Sequence, residues 1–229
     1  MLVAMNSKTP PMIHQFSTES WAQEFARMLS VQISECITTK GVCNVMLTGG
    51  RSAAQLYGAW ALAPEFQRLT GVRFYFGDER CVPCDNPESN FGMVMRTLFS
   101  AGVPHGCTVH RMEADSDDLE AAAGRYDAGL PECVDFLLLS IGDDGHIASL
   151  FPHNIALQET RRRVVPVVGP KPPKVRLTIT RPVIETANQL FVIACGDKKR
   201  EILNILSDEP SDFYSIPARL ALRAAWIQA

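Results

Sequence analysis

No apolar run in the chain comes near the roughly 20 residues that a membrane-crossing helix needs. The run from Phe136 to Ile141, for example, stops at Gly142 and Asp143. Basic tracts are missing too: no stretch of Lys or Arg exceeds Arg161, Arg162 and Arg163, and the formal net charge is −3. That balance lacks the electrostatic footprint of a nucleic-acid or acidic-membrane binder, so neither partner is expected. There is no low-complexity tract, internal repeat or long linker, which leaves 229 residues expected to form a single domain, 1–229, around one core. Met1 to Pro11 lack a basic start followed by a long apolar block, so no secretory signal is read and the cytoplasm is expected. Cys81 and Cys84 form a C-x-x-C, the pattern of a redox-active pair or of half a zinc site, but no second such pair exists to complete a four-thiolate metal site. The seven cysteines, an odd number, are expected to be reduced thiols acting mostly as small hydrophobes, and Cys81 and Cys84 to be inert.

What is present is an alternation. Runs rich in branched and aromatic residues (Val45 to Leu47, Val72 to Phe76, Phe136 to Ile141, Leu177 to Thr180, Leu190 to Ala194, Ala225 to Ile227) read as strands, with shorter ones near Ile13 and Val109. Between them lie segments of helical spacing, the first carrying Trp21, Phe25, Met28 or Leu29, and Ile33 on one stripe with Ser17 and Thr18 available as caps. Others are expected over Ser52 to Trp60, Ser89 to Phe99, Asp118 to Ala128, Asp197 to Leu206 and Pro217 to Leu222. Pro166 to Pro173 reads as one surface loop. The rhythm is that of an α/β, doubly wound, mostly parallel sheet with helices on both faces. In such folds ligands collect at the carboxyl ends of the strands.

Chemistry is concentrated at those ends. After Val45 to Leu47 come Thr48, Gly49, Gly50, Arg51 and Ser52, which serve either as an anion cradle of glycine backbone, helix-start N–H groups and two donor side chains, or as an ordinary turn capped by Ser52. Phe74 to Phe76 end in Gly77, Asp78, Glu79 and Arg80, either a helix-entry ion-pair cluster or a used site. Phe136 to Ile141 end in Gly142, Asp143, Asp144, Gly145 and His146, which puts a carboxylate and an imidazole in one crevice, as general-base chemistry requires. The alternative is that Asp144 caps a short helix starting near His146. Arg176 and Lys199 bring cations to two further strand edges. Lys199, in the first turn of its helix, is not placed to satisfy the helix dipole, which points to an anion or a solvated surface instead.

Taken in order, G-G-R-S (49–52), G-D-E-R-C-V-P (77–83), S-N-F-G-M (89–93), G-D-D-G-H-I-A-S-L-F-P (142–152), K-P-P-x-x-R-L-T (171–178) and G-x-x-K (196–199) resemble the 6-phosphogluconolactonases of the glucosamine-6-phosphate isomerase/6-phosphogluconolactonase family. The resemblance implies a deaminase/lactonase-like fold and hydrolysis of 6-phospho-D-glucono-1,5-lactone to 6-phospho-D-gluconate in the oxidative pentose phosphate pathway, without metal or organic cofactor. It implies His146 as general base with Asp144 and Asp78 close to it. Gly49, Gly50, Arg51 and Ser52 match the phosphate loop, and Arg80, Arg176 and Lys199 match basic groups around the substrate. Where the family loop reads G-G-x-T-P, this chain has Ser52 and Ala53; the hydroxyl is kept but proline's pre-set first helical turn is not. Two alternatives are weighed. Glucosamine-6-phosphate deaminases share the D-G-H-I-A segment but continue F-N-E-P, with a glutamate acting beside the histidine, whereas this chain continues Ser149, Leu150, Phe151 and Pro152 and has no acid in that place. A non-catalytic sugar-phosphate-binding module is the other, though it would not need Asp144 and His146 together.

Overall fold

The computed structural model describes residues 12–208 and 212–229. Met1 to Pro11, read above for a signal, lie outside the described residues. In chain order the elements are β1 (Met12–Gln15), α1 (Trp21–Lys40), β2 (Cys43–Leu47), α2 (Arg51–Ala61), α3 (Pro64–Gln67), β3 (Val72–Phe76), β4 (Asp78–Arg80), α4 (Asn90–Thr97) and β5 (Thr108–Val109). They continue with α5 (Leu119–Gly129), β6 (Phe136–Ser140), β7 (Val164–Val168), β8 (Val175–Ile179), α6 (Arg181–Thr186), β9 (Gln189–Ile193), α7 (Asp197–Asp208) and β10 (Ala225–Gln228), with 3-10 turns at Ile155–Gln158 and Pro217–Ala221.

Seven strands form a sheet in the order β1-β10-β9-β6-β2-β3-β5, every neighbouring pair parallel. Successive strand residues point to opposite faces, yet Val45, Met46 and Leu47 of β2 and Leu137, Leu138 and Leu139 of β6 are all fully buried. Both faces are therefore covered, which is why these strands read as unbroken apolar runs rather than alternating ones. The stripe of α1 (Trp21, Phe25, Leu29, Ile33) is buried as its spacing predicts, and Trp60 of α2 donates its indole N–H to Ser30 of α1 at 2.9 Å, tying the two helices together. The helix begins later than Ser17 and Thr18 suggest: its N-cap is Ser20, and Ser17 supports that turn by accepting the Ser20 N–H at 3.2 Å.

Three readings need correction. Asp78, Glu79 and Arg80 are not a helix entry; they form β4, an edge of a second, antiparallel sheet of order β4-β8-β7. The segment from Pro166 is not all loop, since Val164–Val168 is the opposite edge of that sheet, where a proline's missing N–H costs no ladder bond. No helix starts near His146, where the chain instead makes tight turns and isolated bridges, so Asp144 is not a helix cap.

Candidate active site

The chain runs from β2 outward to β3 and β5, then returns to the other side of β2 with β6 and continues outward through β9 and β10. The loops leaving β2 and β6 thus part in opposite directions, and a crevice opens beyond their carboxyl ends. A cavity of about 160 Å³ lies there. Its floor is pinned by bonds between the two loops: Ser140 donates its N–H to Thr48 Oγ1 at 3.1 Å and its hydroxyl to the Gly49 carbonyl at 2.9 Å. Gly49 has no room for a side chain, because a Cβ there would lie 2.0 Å from Asn90 Oδ1. Gly50, the residue that opens α2, has φ +101, a conformation that L side chains rarely adopt. Ser52 does not cap the helix; it sits inside the first turn.

His146 is carried by a turn in which Gly142 donates its N–H to the His146 carbonyl at 2.8 Å and Gly145, at φ +79, donates to Gly142 at 3.0 Å. A Cβ on Gly142 would lie 2.0 Å from ring atoms Cε1 and Nδ1, so the imidazole occupies the space that glycine leaves. Its other side meets Phe151, ring centroids 4.6 Å apart. Asp144 holds the ring through a short hydrogen bond to Nδ1. Burial alone would raise that carboxyl, but the bond to His146 and its charge outweigh burial and hold Asp144 down at about 2. An ionised Asp144 accepts a hydrogen bond from Nδ1–H, which leaves Nε2 with a free lone pair, the arrangement a general base needs. Ala148, on the cavity wall, has φ +49 and is one of two non-glycine residues with positive φ among those described. Such strain persists where the surroundings dictate it, often at functional sites.

The small sheet supplies the opposite wall. Arg80 of β4 and Arg176 of β8 are register partners, so their side chains leave the same face, and both line the cavity. Arg176 is 6% exposed and is fastened by Nε to the Pro173 carbonyl at 3.0 Å, with its guanidinium 5.2 Å from the Phe151 ring centroid. Desolvation pulls its pKa down, and the neighbouring Asp78 pulls it back up. Asp78, 5% exposed, accepts from Ser149 Oγ at 2.6 Å and Asn90 Nδ2 at 3.2 Å. Ser149 in turn accepts from Arg176 at 3.4 Å. Lys199, from the first turn of α7, completes the lining; burial lowers its pKa and Asp143 raises it, and it makes no ion pair among the described residues.

Of the residues expected from sequence, Gly49, Gly50, Asp78, Arg80, His146, Arg176 and Lys199 line this one cavity. Asp144 stands behind the imidazole. Arg51 and Ser52 open α2 just outside the lining; Arg51 is exposed, and its charge is felt by Lys199. Thr48 of the glycine turn and Ala148 of the 142–152 motif also line the cavity, and so do Asn90 and Ser140, to which no role was assigned. Asn90 lies within S-N-F-G-M, whereas Ser140 falls at the end of an apolar strand and in none of the motifs. Glu79, in contrast, faces away from the chemistry. It accepts the N–H groups of Asn90 and Phe91 at 2.7 and 2.6 Å and thereby seats the start of α4. The thiols of the C-x-x-C are both pushed up by burial, Cys81 to about 11, the opposite of what a reactive thiolate requires.

The family model for glucosamine-6-phosphate isomerases/6-phosphogluconolactonase matches residues 17–227. The sequence is 34% identical over 211 residues to a 6-phosphogluconolactonase of Streptomyces coelicolor, spanning 84% of this chain and 81% of that protein. It is 35% identical over 194 residues to 6-phosphogluconolactonase 3 of Saccharomyces cerevisiae, spanning 78% and 77%. The crystal structure of a 6-phosphogluconolactonase from Shewanella baltica superposes with a TM-score of 0.86 over 96% of this chain and 99% of that one, and at 21% identity this likeness speaks for the fold. A sheet with this strand order, a match along nearly its whole length and relatives above 30% identity place the chain in the glucosamine-6-phosphate isomerase/6-phosphogluconolactonase family.

Proposed function

We propose that the protein hydrolyses 6-phospho-D-glucono-1,5-lactone to 6-phospho-D-gluconate, as the names of its relatives suggest. One observation carries the reading: an imidazole oriented by an ionised carboxylate opens onto the same small cavity as Arg80, Arg176 and Lys199. A lactone carbonyl is already electrophilic, so catalysis needs a placed water, a base for its proton and donors for the oxyanion that forms. His146 Nε2 takes the proton as the water oxygen attacks the carbonyl carbon. The tetrahedral intermediate then collapses with cleavage of the ring C–O bond, and the imidazolium returns the proton to the departing ring oxygen. Arg80, Arg176 and Lys199, with the Gly49–Gly50 turn and the Arg51–Ser52 helix start, hold the phosphate, and that binding energy positions the ring. Asp78 acts through Ser149 and Asn90 to fix the wall that carries Arg176. A reducing cytoplasm suits the seven unpaired cysteines.

The deaminase reading lacks its acid. The turn after Ala148 offers Ser149, bonded to Asp78, and the buried Leu150 and Phe151, with no carboxylate among them. The test generates the lactone from glucose 6-phosphate and follows acid release against the spontaneous rate. Wild type accelerates it and His146→Ala loses about 10²–10⁴-fold of that acceleration. No gain over background removes the lactonase reading, and ammonia released from glucosamine 6-phosphate would replace it with the deaminase.

A further inference from the structure

At the amino end of β2, five residues before the active-site loop and therefore roughly 16 Å from it, three ligand-type side chains converge from three elements. Cys36 comes from α1, Cys43 opens β2, and Asp135 precedes β6; their sulfur and carboxylate oxygen atoms all lie within 4.8 Å of one another. Cys43 is fully buried, and the Cys36 sulfur beside it, which donates to the Val42 carbonyl at 3.9 Å, reaches partly to solvent. Asp135 is held in place by the Asn44 N–H at 2.9 Å, Asn188 Nδ2 at 3.1 Å and Lys40 Nζ at 2.5 Å. We propose that Cys36, Cys43 and Asp135 form a binding site for a thiophilic divalent cation of the zinc class, outside the catalytic cavity and independent of the lactonase reading.

The donor set argues for that class of ion. Two sulfurs and one carboxylate oxygen suit a small tetrahedral d¹⁰ cation far better than magnesium or calcium, which prefer oxygen alone. Water reaching the Cys36 side fills the fourth position. Each thiol releases its proton as its sulfur binds, so one ion entering sends two protons to solvent. Two thiolates, one carboxylate and a divalent ion together carry one negative charge, and the Lys40 ammonium already beside Asp135 cancels it, so the loaded site is neutral. Bonds from Asn44 and Asn188 give the carboxylate the fixed orientation that outer partners provide in metal sites. Six residues separate the two cysteines in the chain, a spacing outside the short C-x-x-C pattern, so only the fold brings them together.

The reduced, metal-free protein titrated with cobalt(II) should develop a thiolate-to-cobalt charge-transfer band and the visible bands of tetrahedral cobalt, saturating at a single equivalent. Cys36→Ala and Cys43→Ala should each lose the band, whereas Cys84→Ala keeps it. Absence of the band in wild type, its survival in both variants, or its loss in Cys84→Ala overturns the site. Should Cys43→Ala not fold, wild type decides the matter alone: zinc(II) should shield positions 36 and 43 from iodoacetamide, mapped by peptide mass, and shielding at 81 and 84 instead refutes the proposal. Zinc(II) should also raise the unfolding midpoint of wild type and leave that of Cys36→Ala unmoved.

Discussion

A methyl group at position 142 would lie 2.0 Å from two atoms of the His146 ring and 2.8 Å from Asp144 Oδ1. Neither can yield without breaking the bond that orients the imidazole. Gly142→Ala is therefore expected to cost nearly as much activity as His146→Ala, about 10²–10⁴-fold, while leaving the fold intact, which circular dichroism beside the lactone assay would check. Asp144 gives a second prediction, about pH. Its carboxyl lies at about 2 when folded against an ordinary 3.8, so the folded state binds that proton less readily than the unfolded chain. The resulting stabilisation is complete above the ordinary value and disappears as pH falls from near 4 towards 2. Urea midpoints over that range should fall more steeply for wild type than for Asp144→Asn, and parallel curves would show that the bond to His146 adds nothing. Gly142, Asp144 and His146 were legible in the sequence because they are adjacent in the chain at the end of an apolar run. Ser140 and Asn90 were not, since their place in the cavity comes from segments that only the sheet brings together.

Among the elements, strand identity followed from burial. β2 from Val45 onward and β6 lie inside the parallel sheet and read as continuous apolar runs, while β4 and β7 are short edges of an antiparallel sheet, one carrying three charges and the other a proline. Neither pattern signals a strand without its partner β8, so Asp78 to Arg80 read as a helix entry or a used site and Pro166 to Val168 as part of a loop. The misreading hid the work of Glu79. It is 3% exposed and accepts from the backbone N–H groups of Arg80, Asn90 and Phe91 and from Ser89 Oγ, against a burial that pushes its carboxyl up. A glutamine there has one acceptor oxygen and an NH₂ that faces other donors. Glu79→Gln should destabilise the protein by about 1–3 kcal/mol, read from denaturant midpoints, and should loosen Asn90 at the cavity wall.

For the molecule as a whole, the candidate site lies between two sheets that share no hydrogen-bonded strand pair: the imidazole and the glycine turn come from the parallel sheet, and Asp78, Arg80 and Arg176 from the antiparallel one. Catalytic geometry then depends on how the smaller sheet is fastened. Arg163, just before β7, is a principal clamp. It donates to the Asp127 carboxylate from Nε at 2.8 Å and from its backbone N–H at 2.7 Å, and its guanidinium also reaches the Asp127 and Pro131 carbonyls at the end of α5. Removing the guanidinium leaves those carbonyls and one carboxylate without their donor, at a cost of about 1–3 kcal/mol. In the proposed mechanism the chemical step uses groups on the parallel sheet, whereas the phosphate grip draws on the arginines of the smaller one. Arg163→Ala should therefore raise KM for the lactone by several-fold more than it lowers kcat, and an equal fall in both would mean that the small sheet carries part of the reacting centre rather than the substrate's far end.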